Sequence, residues 1–291
     1  TLEYAEYTEE ERPVAIQIFG GVPDKMATAA QVVESMGADI VDVNMGCPVP
    51  KIAKHNAGCS LMRDPAQAAT IIDAMVQAVH IPVTVKMRAG WSEDEINAPE
   101  LARRVEGVGA SAVTVHGRTA KQSYTGRSDW GLIGEVARAV DVPVFGSGDC
   151  VEPAELGDRV AESGAAGALV GRGALRNPWI FAQAQDLAAG RAPRAVPLEA
   201  RGRFLLDYLE LLLGEGVAEA DGFRHALPAA REAAPARGRD RWVVNKLRAL
   251  GSWYTKGLDN GSHLRQQINQ AESIAELRAI IQDFFFDPDR A

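Results

Sequence analysis

Short apolar runs and helix-like stretches alternate along the first two thirds of the chain. Six runs recur: Val14 to Phe19, Ile40 to Asn44, Val83 to Met87, Ala112 to His116, Val142 to Ser147 and Ala168 to Val170. They are rich in β-branched residues and most lack a clean polar face, which suits parallel strands covered on both sides. The segments between them read as crossover helices. Asp64 followed by Pro65 has the form of an N-cap and first-turn proline, and Ile72, Met75, Val76 and Val79 then recur at helical spacing. Alternating strands and helices predict a parallel α/β fold.

Each run also ends in polar or glycine-rich sequence: Gln17, Asn44 to Cys47, Lys86 to Arg88, His116 to Arg118, Ser147 to Asp149, and Gly171 to Arg172. In a (β/α)8 TIM barrel all such ends meet at one rim, whereas an open doubly wound sheet gathers ligand groups at one switch point. Six functional ends in series favour the barrel. A closed barrel of this type needs eight strands. The first run follows only a polar leader, Thr1 to Arg12, so the expectation is a barrel lacking its first two strands. Such a chain is expected to bind a cofactor weakly and to expose strand edges.

After Gly190 the pattern changes. Arg191 to Pro197 is linker-like, Phe204 to Leu213 is an apolar helix, Glu215 to Arg239 carries weak order signals, and Trp242 to Tyr254 and Ile274 to Phe286 read as helices. The expected organisation is a barrel domain over 1–190 and a small all-helical C-terminal domain over 197–291.

Composition narrows the classes. Apolar residues make up 46% of 291 residues, enough for a sizeable core. No window has the length and apolar character of a membrane span, and no targeting segment opens the chain. Cys47, Cys59 and Cys150 are too few for a disulfide framework and lack zinc-ligand spacing, which suits a reducing cytoplasm and no metal. The net charge of −8 weighs against a nucleic-acid surface over the whole chain, although a local basic patch matters more than the total.

The strand ends carry the candidate chemistry. Ser147-Gly148-Asp149 and Gly171-Arg172-Gly173 follow the last two strands, where barrels commonly bind phosphate on backbone N–H groups, and Arg172 adds a charged donor. Two tight turns would look the same in sequence. Lys86 lies late in an apolar strand, where it can meet an anionic cofactor or snorkel out of the rim. His116 precedes Gly117-Arg118 and reads equally as a functional or a structural imidazole. Cys47 lies in a glycine–proline loop at the rim, where a thiol can act as nucleophile or general acid, while Cys59 and Cys150 read as structural.

Together these motifs resemble the tRNA-dihydrouridine synthase family. The matching stretches, in family order, are Gln17-Ile18, Asn44-Met45-Gly46-Cys47-Pro48, Ala57-Gly58, Lys86-Met87-Arg88 with Gly90-Trp91, His116-Gly117-Arg118-Thr119, Gly148-Asp149 and Gly171-Arg172-Gly173. The loop around Cys47 is the most specific. The resemblance implies a barrel that binds flavin mononucleotide (FMN), a helical domain that holds tRNA, and NADPH as reductant. It implies flavin contacts from Gln17, Lys86 and His116, and a phosphate held by Ser147, Gly148, Asp149, Gly171 and Arg172. Asn44, Arg88 and Arg118 would meet the substrate, and Cys47 would donate a proton. The family's opening proline–methionine–alanine strand end has no counterpart here, and Ser147 stands where the family often has asparagine. Two other readings are an FMN enzyme acting on free pyrimidines, related to dihydroorotate or dihydropyrimidine dehydrogenases, and an RNA-binding remnant without catalysis. A basic, aromatic-bearing surface around Arg241, Trp242, Lys246, Arg248, Trp253, Tyr254 and Lys256 points towards RNA. Oligomeric state is not legible.

Overall fold

The computed structural model describes residues 5–49, 56–214, 224–225 and 238–287. Most of the Glu215 to Arg239 stretch therefore lies outside the described residues. The chain divides into two compact units, one containing 1–150, 154–171 and 222–228, the other 151–153, 172–221 and 229–291.

In the first unit, six parallel strands form one sheet: β2 (Ala15–Ile18), β3 (Ile40–Met45), β4 (Val83–Arg88), β5 (Ala112–His116), β6 (Val144–Ser147) and β7 (Gly167–Leu169). Each strand pairs with its neighbour in sequence. This is the order of a barrel wall; a doubly wound sheet reverses direction partway. Helices follow the strands: α1 (Pro23–Ser35), α2 (Pro65–Ala78), α3 (Ala98–Gly107), α4 (Trp130–Ala139) and α5 (Pro153–Ser163). A two-residue pair, β1 (Tyr7–Thr8) with β8 (Arg224–His225), lies apart from this sheet, and there the Tyr7 and His225 rings stack at 4.6 Å.

Strand burial corrects one expectation. The strands are not covered equally on both sides. Val41, Val43, Met45, Val83, Val85, Met87, Val113 and Val115 are buried on the face that the helices cover. The alternate residues, Asp42, Asn44, Thr84, Lys86 and Thr114, are only half-buried, and Gln17 is exposed. Successive side chains of a strand point to opposite faces, so one face became core and the other a polar concave surface.

The helices start where local chemistry dictates. The Asp64 carboxylate accepts from the Gln67 N–H (3.0 Å) and Pro65 opens α2, whose Ala68, Ile71, Ile72 and Met75 are buried. Asp129 caps α4 through the Leu132 N–H (3.0 Å). One bridging device recurs. Glu34 on α1 accepts from His80 and Ile81 N–H ahead of β4, and Glu106 on α3 accepts from Asp141 and Val142 N–H ahead of β6. Each carboxylate satisfies two loop donors. Gly146 on β6 allows close approach of α4, since a Cβ there would lie 2.2 Å from the Trp130 ring.

The second unit is helical: α6 (Arg172–Arg176), α7 (Ile180–Ala188), α8 (Leu198–Gly214), α9 (Arg239–Tyr254), α10 (Gly261–Gln270) and α11 (Ile274–Phe285). Its core centres on Leu205, Leu209, Leu247, Leu264, Leu277 and Ile281. The linker-like Arg191 to Pro197 is pinned. The buried Asp186 carboxylate accepts from Arg191 Nη2 (2.8 Å) and from Arg194 Nε (2.8 Å) and N–H (3.1 Å). Arg194 first, then Arg191, hold that carboxyl well below the usual range. Of the residues expected on a basic aromatic surface, Tyr254 is instead core: it is fully buried and its hydroxyl donates to the Arg201 carbonyl (2.9 Å). Trp242 and Trp253 carry Lys246 and Lys256 over their rings at 5.2 and 3.7 Å.

Gly202 on α8 allows Phe285 to close against the helix, because a Cβ would sit 2.4 Å from the Phe285 Cβ. Overpacking of this kind costs about 1–3 kcal/mol. Gly202→Ala should lower the unfolding free energy measured by denaturant titration by that amount, and an unchanged free energy would mean that α8 and α11 pack less tightly than described.

Candidate active site

The strand register sets the site. Asn44 lies beside Lys86, Arg88 beside His116, and His116 beside Ser147, so these polar residues share one edge of the concave face. Gln17 lies beside Asp42 on the outer strand.

The Cys47 loop is held from three directions. The Asn44 side-chain oxygen accepts from the Gly46 N–H (3.0 Å) and the Cys47 N–H (2.9 Å), an Asx turn that ends β3. The Cys47 carbonyl accepts from the Cys59 N–H (3.1 Å). The Gly46 carbonyl accepts from Arg88 Nε (2.7 Å). Arg88 is buried and its Nη1 also donates to the Thr119 and Ser123 carbonyls, both at 2.9 Å. A buried guanidinium thus braces two rim loops at once. Cys47 is half-buried, whereas Cys59 and Cys150 are buried. Burial pushes both of those thiols up, Cys150 to about 11. Neither is poised to react.

His116 is buried, and its Nε2 has no hydrogen-bond partner among the described residues. Burial pushes its pKa down to about 3, aided by the charges of Arg88, Lys86 and Arg118. The ring is neutral near pH 7 and offers a single donor or acceptor at an unsatisfied buried nitrogen. Lys86 is also lowered, by burial first and then by Arg88, with Asp42 opposing.

The turn after β6 is tightly built. Gly148 has φ +121°, and a Cβ there would meet Ser128 Oγ at 2.3 Å and His116 Cε1 at 3.1 Å. Only glycine fits. The Asp149 carboxylate accepts from Arg118 Nη2 (2.8 Å to each oxygen) and from the Ser128 N–H (2.7 Å). An anionic side chain repels phosphate, so any phosphate contact of Asp149 falls to its backbone. Arg118 is 3% exposed and also donates to the Thr125 and Gly126 carbonyls. It braces the turn, and only its Nη1 is left unpaired in the interior among the described residues. Gly171 ends the 154–171 segment of the first unit, and Arg172 opens α6 of the second.

Residues 1–286 match the dihydrouridine synthase (Dus) family. The chain belongs to that family. This dihydrouridine synthase family member is 43% identical over 280 residues to a probable tRNA-dihydrouridine synthase of Rhodobacter capsulatus, covering 96% of this chain and 79% of the relative. It is 39% identical to tRNA-dihydrouridine synthase B of Pseudomonas aeruginosa, over 95% of this chain and 77% of that protein. It is 34% identical to the synthase B of Xanthomonas axonopodis, over 98% and 80%. Membership makes the chain an oxidoreductase. Among the described residues, no group of His, Cys, Asp or Glu is placed to hold a metal ion, and no helix is long and apolar enough to cross a membrane.

Sequence reasoning had not singled out Asp42, Ser128 or Trp130. Asp42 was the detectable one, as an acid inside an apolar strand. Ser128 comes from a loop with no pattern of its own, and Trp130, whose Nε1 donates to the Gly148 carbonyl (2.9 Å), is the first residue of α4.

Because the folded His116 pKa lies below its unfolded value, the unfolded chain takes up the proton first. This residue's contribution to stability therefore falls as pH drops from about 6.5 towards about 3. In an NMR titration its ring signals should stay flat from pH 8 to about pH 5, where an ordinary imidazole titrates. A midpoint near 6.5 would place the ring in solvent.

Proposed function

We propose that this chain reduces uridine in tRNA to 5,6-dihydrouridine, with FMN on the concave face, NADPH as reductant and Cys47 as proton donor. The observation that carries the reading is a half-buried thiol, fixed by Asn44 and Arg88, on the same rim as Lys86 and a buried imidazole with an unpartnered nitrogen. Relatives named tRNA-dihydrouridine synthase match nearly the whole chain and displace the reading of an enzyme for free pyrimidines.

The residues fit a flavin. The His116 Nε2, without a hydrogen-bond partner among the described residues, suits a polar ring atom, and the lowered Lys86 amine suits an electron-rich one. Gln17 uses one donor and one acceptor within the protein and retains one of each for a ligand. Ser147, Gly148, the Asp149 backbone and Gly171 would hold the phosphate end. The chemistry that a bound reduced flavin supplies is hydride to one carbon of the uracil 5,6 double bond.

The chain's own residues supply the rest. The target base must leave its stack to reach the rim. Asn44 and Arg88 would orient it there. Because Arg88 Nε and Nη1 are committed to carbonyls, its contact with the base falls to Nη2. Cys47 gives its thiol proton to the other carbon as general acid. The thiolate left behind lies in the field of the Arg88 guanidinium. On the helical unit, the Trp242–Lys246 and Trp253–Lys256 pairs would take the tRNA backbone and its unpaired bases.

Replacing Cys47 by alanine in the flavin-loaded protein should leave the visible flavin spectrum intact and slow dihydrouridine formation on unmodified tRNA by about 100- to 10,000-fold. Near-normal turnover would remove the thiol from the reaction.

A further inference from the structure

Asp42 is the carboxylate on the concave face that the functional reading leaves without a task. Its position in the hydrogen-bond pattern is informative because every link has a forced direction. The backbone N–H groups of Gly46 and Cys47 can only donate, so Asn44 must present its oxygen to them. The Asn44 Nδ2 therefore faces away and donates to Gln17 Oε1 (2.7 Å). With its oxygen taken, Gln17 donates through Nε2 to Asp42 Oδ2 (2.5 Å). Thr84 Oγ1 donates to Asp42 Oδ1 (2.7 Å). The chain of amides thus ends on a group that accepts, and a carboxylate offers only acceptors.

We infer that Asp42 is a positioning residue: it fixes the orientations of the Gln17 and Asn44 amides and so holds the Cys47 backbone at the rim. An apolar side chain at 42 would leave the exposed Gln17 Nε2 with mobile water in place of a fixed acceptor. The Gln17 amide would then no longer be locked in one orientation, and whenever it turned it would present nitrogen to nitrogen at Asn44. Asn44 would follow or lose its partner, and the Asx turn beneath Cys47 would loosen. This relay differs from a purely electrostatic task, in which the Asp42 charge would serve only to hold Lys86 protonated. Burial raises the Asp42 carboxyl while Gln17, Thr84 and Lys86 oppose that rise, so charged and dipolar neighbours on both adjacent strands meet this group. The relevance to catalysis rests on the proposed task of Cys47; the relay itself does not.

Two substitutions separate the possibilities. Asn at 42 can turn its oxygen to Gln17 and its amide to Thr84 Oγ1, which keeps the direction of the relay and removes the charge. Leu at 42 has similar size and no acceptor. In the flavin-free protein, amide hydrogen exchange at Gly46 and Cys47 should speed up by about fivefold or more in Asp42→Leu, the effect of weakening a hydrogen bond at each. Reaction of the Cys47 thiol with a disulfide reagent should accelerate by a similar factor, Cys59 and Cys150 being buried. Asp42→Asn should stay within about twofold of the parent in both measurements. On unmodified tRNA, Asp42→Leu should lower kcat and leave KM unchanged. Gln17→Leu cuts the same relay one link later. It should reproduce the loosening, and the double variant should be no worse than Gln17→Leu alone, which keeps the test open if Asp42→Leu fails to fold. Unchanged exchange at Gly46 and Cys47 in both leucine variants would overturn the relay. So would equal loosening in Asp42→Asn and Asp42→Leu, which would assign Asp42 to the charge of Lys86. Exchange and thiol reactivity need no turnover, so a failure of Cys47 as proton donor would show separately, in the alanine variant.

Discussion

Arg88 ends a central strand with its guanidinium inside the protein, and a cation in that position must be surrounded by acceptors or it unfolds its surroundings. It finds three carbonyls, on Gly46, Thr119 and Ser123. Those carbonyls belong to the loop that carries Cys47 and to the loop after β5, so satisfying one charge sets the spacing of the rim. The same charge helps keep His116 neutral. Mutual placement of thiol and imidazole thus follows from the solvation needs of a third group.

A second layer of the same logic lies after β6. Buried Arg118 and half-buried Asp149 neutralise each other, and the Ser128 N–H completes the carboxylate. That pair lets Gly148 pass at positive φ within contact of His116 without leaving charge exposed to a bound anion. Residues that looked like ligand groups by type, Arg118 and the Asp149 side chain, are thereby used as braces. The backbone that they hold is what remains for a ligand.

The sheet explains why both layers can exist. Its convex face is apolar and covered by helices, so the strands are anchored. Its concave face is polar and half-open, and carries amides, a carboxylate and an ammonium that would be costly in a closed apolar core. Hydrogen bonds among Gln17, Asp42, Asn44 and Thr84 reduce that cost and give the face a fixed polarity.

Much of this was legible in the residue order. Six β-branched runs, each ending in polar sequence, determined the number and direction of the strands in the parallel sheet, because period and spacing depend only on local backbone geometry. Asn44-Met45-Gly46-Cys47-Pro48 determined the family and the candidate acid. Asp64-Pro65 determined where α2 begins. Tertiary structure decided which polar residues are free and which are spent. Tyr254 looked like surface and is core; Arg118 looked like a substrate contact and is a brace; Arg191 to Pro197 looked like a free linker and is tied to Asp186. In each case the deciding partner (Arg201, Asp149 or Asp186) is fixed by packing and loop closure. A hydrogen bond depends on where two groups end up in space, and residue type alone carries no record of that.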